Sequence, residues 1–270
     1  MKRAVLFLLL NLTICAIYAQ SQPVSQRLDA LLNDEILKTS EVGITVFDLT
    51  TGESLYRYQD EKLYRPASIE KVITSVTALA RLGADYTMDT HLRYTGKIEN
   101  DTLKGNLYLI GGFDPELMDE DLDSLVAAVE AQGIRYVTDT IAADVSMTDS
   151  VYWGPGWSWD DTPYSFQPYL SPLMLNRGCV DVSVSPAQKD SLPAVLCTPV
   201  SDYYRVCNRA VSRNPQAGKL EITRNWLSNG NVITVSGNVS RPYTGQVNIY
   251  TSKDFFFHTF IQRLKEKGIT

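Results

Sequence analysis

YRPASIEKVITSVTALARLG, residues 64–83, is the stretch that decides the interpretation of this sequence. Its apolar residues recur at helical spacing and Gly83 is a typical helix stop, so the pattern predicts an amphipathic helix that begins near Ser68. Lys71 then lies in the first turn, where the helix dipole disfavours a cation by about 0.3–1 kcal/mol. A lysine at this position calls for a chemical explanation.

Ser68 and Lys71 are the candidate catalytic pair. They are three residues apart, so on a helix they share a face and the amine reaches the hydroxyl. A serine hydroxyl becomes a good nucleophile once a base takes its proton, and the helix N-terminus together with burial favours the neutral amine that such a base requires. The structural alternative stays open, because Ser68 can cap the helix and a Ser-x-x-Lys arises by chance about once in a chain of this length.

Composition excludes several classes of function. The chain has 270 residues, of which 44% are hydrophobic and 21% charged, which is ordinary for a globular protein. A net charge of −6 without a cluster of Lys and Arg argues against a nucleic-acid partner or an anionic membrane surface. His91 and His258 are the only histidines and no Cys-x-x-Cys occurs, so we expect neither a metal nor another cofactor.

The N-terminus is typical of a secretory signal peptide. A positively charged start precedes an apolar run, residues 4–17, and Ala19 is the small residue before a cut. We therefore predict a signal peptide over residues 1–19 and a periplasmic or secreted mature protein. No later segment is long enough to span a membrane. A lipid-anchored alternative through Cys15 is disfavoured because a large residue precedes that cysteine.

The mature chain keeps three cysteines, Cys179, Cys197 and Cys207. An exported protein permits disulfides, and an odd number leaves at least one thiol free. The simplest pairing joins Cys197 to Cys207.

The order of patterns predicts two domains. One helix is expected over residues 24–39, followed by a hairpin that turns at Thr51-Gly52 and then by the Ser68 helix. Strand-like runs and one helix, about residues 119–132, come next: THLRYTGKIEN, GNLYLIGG, TIAADVS, CVDVSVSP, GKLEITRNW, VITVSGNV and GQVNIYT. We therefore predict a first domain over residues 20–89, a mostly β domain inserted at 90–251, and a helix at 252–270 that returns to the first domain.

PAS-x-x-K is also the nucleophile motif of penicillin-binding proteins and serine β-lactamases. Three further stretches extend the match: GNLYLIGGFDPEL (105–117), YWGPGWSWDD (152–161) and YLSPLMLNRGCVDVSVSP (169–186). With them the chain resembles, from Val24 onwards, the D-alanyl-D-alanine carboxypeptidases/endopeptidases of the peptidase S13 type, which are low-molecular-mass penicillin-binding proteins. The resemblance implies an α+β fold, with a partial β-lactamase/transpeptidase-like domain of helices and antiparallel sheet that carries a large β-rich inserted domain.

The resemblance also implies a chemistry. Ser68 would attack peptidoglycan stem peptides that end in D-Ala-D-Ala, with Lys71 as the base, and an acyl-serine would form. β-Lactam antibiotics would bind at the same serine.

The family's other two motifs, S-x-N and K-T-G, are where the sequence departs from the pattern. Ser236, Gly237 and Asn238 match S-x-N formally but lie in a turn-like context, and K-T-G is absent. Two interpretations stay open: the chain is the N-terminal portion of an active carboxypeptidase, or it is a catalytically incompetent module that binds cell wall or a partner. A β-lactamase or esterase that uses the same Ser68 and Lys71 is a third.

Two weaker signals lie in the inserted region. GWSWD approaches the nucleophile elbow G-x-S-x-G, but Asp160 replaces the last glycine and neither histidine has an evident partner. An aromatic cluster could contact a glycan or a peptide, although packing inside the domain is the favoured explanation; it comprises Trp153, Trp157, Trp159, Tyr164 and Tyr169.

Overall fold

A computed structural model describes residues 23–270. Helices and small sheets are mixed in it, so the predicted α+β class is confirmed. The chain divides into two compact units, the first ending at Tyr86 and the second comprising Thr87–Thr270. The predicted signal peptide, residues 1–19, and Cys15 lie outside the described residues. Within the described part, no helix has both the length and the apolar character needed to cross a membrane.

The first unit contains helices, one hairpin and a 3₁₀ turn at Ala67–Ile69. Its elements are α1 (Val24–Leu32), α2 (Glu35–Lys38), β1 (Ile44–Asp48), β2 (Glu53–Tyr58) and α3 (Glu70–Leu82). The single helix expected over residues 24–39 is wrong, because the chain starts a new helix at Asp34. The Asp34 carboxylate accepts a hydrogen bond from the N–H of Ile36 at 3.0 Å, which is the geometry of an N-cap.

The predicted hairpin is confirmed. Strands β1 and β2 pair antiparallel, with Ile44 opposite Tyr58. In the turn, the Asp48 carboxylate accepts hydrogen bonds from the N–H groups of Thr50 and Thr51 at 2.8 and 3.3 Å, and these bonds lower the pKa of Asp48. The hairpin thus ends in a turn closed by its own side chain.

The second unit consists of four three-stranded sheets and two long helices. Its helices are α4 (Asp119–Ala131) and α5 (Ser252–Glu266). Its strands are β3 (His91–Tyr94), β4 (Lys97–Glu99), β5 (Thr102–Lys104), β6 (Leu107–Ile110), β7 (Tyr136–Val137), β8 (Ile141–Asp144), β9 (Cys179–Ser185), β10 (Ala194–Thr198), β11 (Arg205–Ser212), β12 (Glu221–Arg224), β13 (Val232–Val239) and β14 (Tyr243–Asn248). The sheet orders are β3-β6-β8, β4-β5-β7, β10-β9-β14 and β11-β13-β12.

All strand-like runs named from the sequence form strands, whereas β5, β7, β10 and β11 were not predicted. Strands β5 and β7 are too short to show a period of two residues. Strand β11 carries the polar residues Asn208 and Arg209 in its middle, so its sequence lacks the apolar alternation typical of a strand. Parallel pairing with β13 stabilises it instead.

Helix α5 anchors the core of the second unit. Phe255, Phe256 and Phe260 are fully buried, and Arg263 donates to the carboxylates of Asp119 and Asp123 on α4 at 2.9 and 2.5 Å. Burying three phenylalanines contributes roughly 1.5–3 kcal/mol per side chain. The domain boundaries inferred from the sequence, 20–89, 90–251 and 252–270, stay predictions.

The suggested Cys197–Cys207 disulfide is wrong, because Cys179, Cys197 and Cys207 are all free thiols. Cys197 lies in β10, opposite Val182 of β9, whereas Cys207 lies in β11, which belongs to a different sheet. The pairing was predicted from the short separation of the two cysteines in sequence, but the fold places them in different sheets.

Candidate active site

Ser68 and Lys71 are brought together at the start of α3. Ser68 lies in the 3₁₀ turn Ala67–Ile69, and the α-helix begins two residues later at Glu70. The Lys71 amine donates a hydrogen bond to the Ser68 hydroxyl, with 3.0 Å between Nζ and Oγ. That distance is within the reach required for proton transfer between a base and a nucleophile.

The backbone directly before Ser68 is strained. Ala67 has a φ of 46°, which places a residue with a Cβ in the left-handed region. This conformation costs an L-residue roughly 1–2 kcal/mol, and such costs concentrate at functional sites. This strain was not predictable from the sequence, because alanine carries no side-chain preference for a positive φ.

The segment that leads into the site is tied to the hairpin. The Tyr64 hydroxyl lies 2.8 Å from the carbonyl oxygens of Val42 and Gln59, and burial raises the pKa of Tyr64. A Cβ on Gly43 would lie only 2.6 Å from the Tyr64 ring, so glycine is required for this close approach. Tyr64 therefore fixes the chain four residues before Ser68, a positioning role that the sequence analysis missed.

The burial expected for Lys71 is not found. Lys71 and Ser68 are exposed, and no residue of α3 is buried. The apolar stripe of the helix is exposed as well, with Val72, Ile73 and Val76 each at least 60% accessible. This exposure is shared by the whole first unit, because its described residues, 23–86, include no buried side chain.

The formal S-x-N match has a structural role. Ser236, Gly237 and Asn238 lie in β13, the central strand between β11 and β12. Gly237 has a φ of 86°, and the Asn238 side-chain oxygen accepts from the N–H of Asn214 at 2.9 Å. Within the second unit these residues therefore belong to the hydrogen-bonded framework of a strand and its neighbouring turn.

The other residues considered as hydrolase or metal-site candidates have structural explanations. Ser158 precedes a 3₁₀ helix, Trp159–Asp161, instead of occupying a strand-to-helix elbow. His258 does have a partner, because its Nε2 hydrogen-bonds to the exposed carboxylate of Asp202. Among residues 23–270 no three His, Cys, Asp or Glu side chains are grouped to hold a metal ion.

The predicted aromatic cluster divides into separate contacts. Trp153 packs on Trp157 and Tyr169, with ring centroids 5.4 and 5.0 Å apart. Trp159 instead lies against Trp226, with ring centroids 5.2 Å apart, and Trp226 was not part of the predicted cluster. Packing explains the first group but leaves the Trp159–Trp226 pair unaccounted for.

Comparisons with known proteins follow the same lines. A family model described as D-Ala-D-Ala carboxypeptidase 3 (S13) matches residues 24–270. The chain is 30% identical over 262 residues to a D-alanyl-D-alanine carboxypeptidase of Actinomadura sp. strain R39, covering 93% of this chain and 48% of that protein. It is 28% identical over 169 residues to D-alanyl-D-alanine carboxypeptidase DacB of Haemophilus influenzae, covering 60% of this chain and 35% of that protein.

Solved structures extend the comparison to the fold. Penicillin binding protein 4 of Haemophilus influenzae matches with a TM-score of 0.67 at 24% identity, covering 84% of this chain and 51% of that one. Its complex with a β-lactam matches with a TM-score of 0.60 at 21% identity, covering 86% and 50%. The predicted transpeptidase-like fold is therefore confirmed. The chain spans about half or less of the length of the curated relatives that it matches.

Proposed function

The chain belongs to the D-Ala-D-Ala carboxypeptidase 3 (S13) family, and from this membership we propose that its Ser68–Lys71 pair performs the acylation step of a serine-type D-Ala-D-Ala carboxypeptidase. The substrates proposed are peptidoglycan stem peptides that end in D-Ala-D-Ala, with cross-bridge endopeptidase activity at the same serine. The observation that carries the proposal is the 3.0 Å hydrogen bond between Lys71 Nζ and Ser68 Oγ.

The proposed reaction has two halves. Lys71 Nζ accepts the Ser68 proton while Oγ attacks the carbonyl carbon of the penultimate D-Ala. The bond to the terminal D-Ala nitrogen breaks, and Lys71 returns the proton to the leaving amine. Water then attacks the acyl-serine, which releases the shortened peptide and restores the Ser68 hydroxyl.

The helix start supports this role in a second way. The developing oxyanion needs N–H donors that are already in place, and the backbone N–H of Ser68 lies at the N-terminal end of a helix whose dipole favours negative charge. The fixed turn before it, held by Tyr64 and strained at Ala67, keeps Oγ at one end of the SxxK helix. Both features reduce reorganisation at the moment of attack.

Penicillin binding follows from the same nucleophile. A β-lactam carbonyl would accept the attack of Ser68 Oγ, and the opened ring would stay attached because the amine it releases is still tethered to the acyl group. The adduct would therefore carry the whole mass of the antibiotic. An exported enzyme, periplasmic or secreted, is proposed with this substrate, in line with the signal peptide predicted over residues 1–19.

The test is the intact mass of the folded chain after incubation with benzylpenicillin. We expect an adduct of one antibiotic mass in the natural sequence, none in Ser68→Ala, and at least a hundredfold slower formation in Lys71→Met, which keeps the side-chain length but removes the base. Ser75→Ala, on the same exposed helix, is the matched control and should acylate normally. A folded chain without an adduct contradicts the proposal and favours a non-catalytic cell-wall module.

A second assay separates carboxypeptidase from β-lactamase activity. Release of the terminal alanine from a pentapeptide ending in D-Ala-D-Ala is compared with release of the terminal alanine, here L-Ala, from the same peptide ending in D-Ala-L-Ala. We expect release from the first substrate only, with hydrolysis of a chromogenic cephalosporin slower than D-Ala release. Faster cephalosporin turnover would assign the pair to a β-lactamase.

A further inference from the structure

A small groove in the second unit gathers most of the chain's tryptophan. The sequence contains four tryptophans, and Trp153, Trp159 and Trp226 line this one cavity of about 220 Å³ together with Tyr169. Two polar residues, Thr162 and Asn229, and the apolar Leu227 complete the lining. A concave site with aromatic walls and a few convergent polar groups is the usual form of a small-molecule site. We call it the tryptophan groove.

Its outer wall is not explained by packing. Trp159 remains 67% exposed, and its ring is tilted by 38° to that of Trp226 at a centroid distance of 5.2 Å. Burying apolar surface contributes roughly 25 cal/mol per Å² to folding stability. The exposed part of the Trp159 indole does not make this contribution. The pair instead presents indole surface to whatever enters the groove.

The loop that carries Trp226 is held rigid before any ligand arrives. The Asn225 side chain accepts from the N–H of Val232 at 2.8 Å and donates to the Ser228 hydroxyl at 3.2 Å. Asn229 adopts a φ of 53°, and its N–H bonds to the Trp226 carbonyl at 2.9 Å. Because the platform is already ordered, binding to it loses little side-chain and loop entropy.

A buried cation lies beneath the groove. Arg224 is 2% exposed and donates to Thr162 Oγ1 at 2.8 Å, to the Gly230 carbonyl at 3.0 Å, and to both oxygens of Asn248 at 3.0 Å. None of these hydrogen-bond partners is a carboxylate, and burial lowers the pKa of Arg224.

The charge of Arg224 restricts which ligand fits. Its guanidinium carbon lies 5.9 Å from the centroid of Tyr169, a wall of the groove, and Thr162 both bonds to Arg224 and lines the groove. Aromatic cages commonly attract cations. Here the positive charge below disfavours a second cation, so the groove suits a neutral or anionic ligand with a flat apolar face and hydrogen-bonding edges.

We propose that the tryptophan groove binds a pyranose sugar unit. The C–H groups on one face of a pyranose carry partial positive charge and lie well on the negative face of an indole, while its hydroxyl and acetamido edges reach Thr162 and Asn229. That the sugar belongs to the glycan strand of the cell wall rests on the proposed function. The binding of a sugar does not, because the groove contains neither Ser68 nor Lys71.

Chitotriose, a trimer of N-acetylglucosamine without any peptide, is the probe. Titration calorimetry and tryptophan fluorescence with the whole chain should give a dissociation constant of about 1 mM or tighter. Trp226→Ala and Trp159→Ala should each weaken binding at least tenfold. Phe166→Ala removes another aromatic ring of the same unit, 70% exposed and outside the groove, and should leave binding unchanged.

Other outcomes decide against the groove. Absence of heat and of a fluorescence change at about 10 mM sugar, or equal weakening in Phe166→Ala, overturns the proposal. So does tighter binding of tetramethylammonium than of chitotriose, because it would make the groove a cation cage. Ser68→Ala should bind the sugar normally, and Trp159→Ala should still acylate with benzylpenicillin, so failure of the sugar site and failure of the proposed catalysis are seen separately.

Discussion

Replacing Arg224 tests whether a buried guanidinium without a carboxylate organises the second unit. In Arg224→Met the carbonyl oxygens of Gly230 and Asn248 lose their donor, and an unsatisfied buried acceptor costs roughly 1–3 kcal/mol. Removing a desolvated charge returns part of that cost. We expect a net loss of about 2–4 kcal/mol in the free energy of unfolding.

Arg224→Lys gives the sharper comparison. Lysine keeps the charge, and therefore the cost of burying it, but lacks the planar fork that reaches Thr162, Gly230 and Asn248 together. We expect Arg224→Lys to lose at least as much stability as Arg224→Met, which is the reverse of the order expected from side-chain similarity.

Urea unfolding at 25 °C, followed by tryptophan fluorescence, measures both variants, since all four tryptophans lie in the second unit. Arg205→Met, at an exposed arginine, is the control and should change stability by about 0.5 kcal/mol or less. An Arg224→Lys variant within about 0.5 kcal/mol of the natural chain would refute the reasoning, because the three-way contact would then carry no net energy.

Three further predictions concern backbone strain, thiol reactivity and acid stability. Ala67→Val puts a β-branched side chain where alanine already bears the positive-φ cost, so it should lose roughly 1 kcal/mol more and slow penicillin acylation. Ala67→Gly removes that cost but gains chain entropy in the unfolded state, so stability should stay within about 0.5 kcal/mol and the acylation rate within about twofold. Acylation rates and urea unfolding measure both variants. Of the three described thiols, Cys207 should be the one that reacts quickly with a thiol reagent at pH 8, because burial raises the pKa of Cys179 to about 12. If one thiol per chain still reacts quickly in Cys207→Ser, the prediction is contradicted. The hydrogen bond from Arg177 holds the pKa of Glu116 below its ordinary value of 4.5. The stability contributed by the Glu116 carboxylate is therefore complete above pH 4.5 and is lost as pH falls through the lower folded-state pKa. Unfolding measured from pH 6 to pH 3 should show a shallower acid dependence in Glu116→Gln.

Periodic segments and short-range spacing were predictable from the sequence. The Ser68 helix, the hairpin and α5 follow from hydrophobic period and turn residues, and the Ser68–Lys71 contact follows from a three-residue separation on a helix. These features depend on neighbours in the chain, so local chemistry is enough to predict them.

Features that depend on tertiary placement were not predictable. The exposure of Lys71 depends on which other parts of a fold cover α3, and the positive φ of Ala67 is imposed by the turn rather than by alanine itself. Trp226 follows β12 and Trp159 lies in a 3₁₀ helix, so only the tertiary fold brings their rings together. Contacts between residues that are distant in sequence leave no periodic pattern of apolar residues.

The absence of any buried side chain from the described residues of the first unit, 23–86, has a consequence for its local opening. Its backbone hydrogen bonds are those of one hairpin and short helices, with no apolar core to resist separation, so the free energy of local opening should be low. In hydrogen exchange, the amides of β1 and β2 should exchange orders of magnitude faster than those of β9 and β13, the central strands of their sheets. Limited proteolysis should cut first within the first unit, while the second unit survives as a resistant fragment.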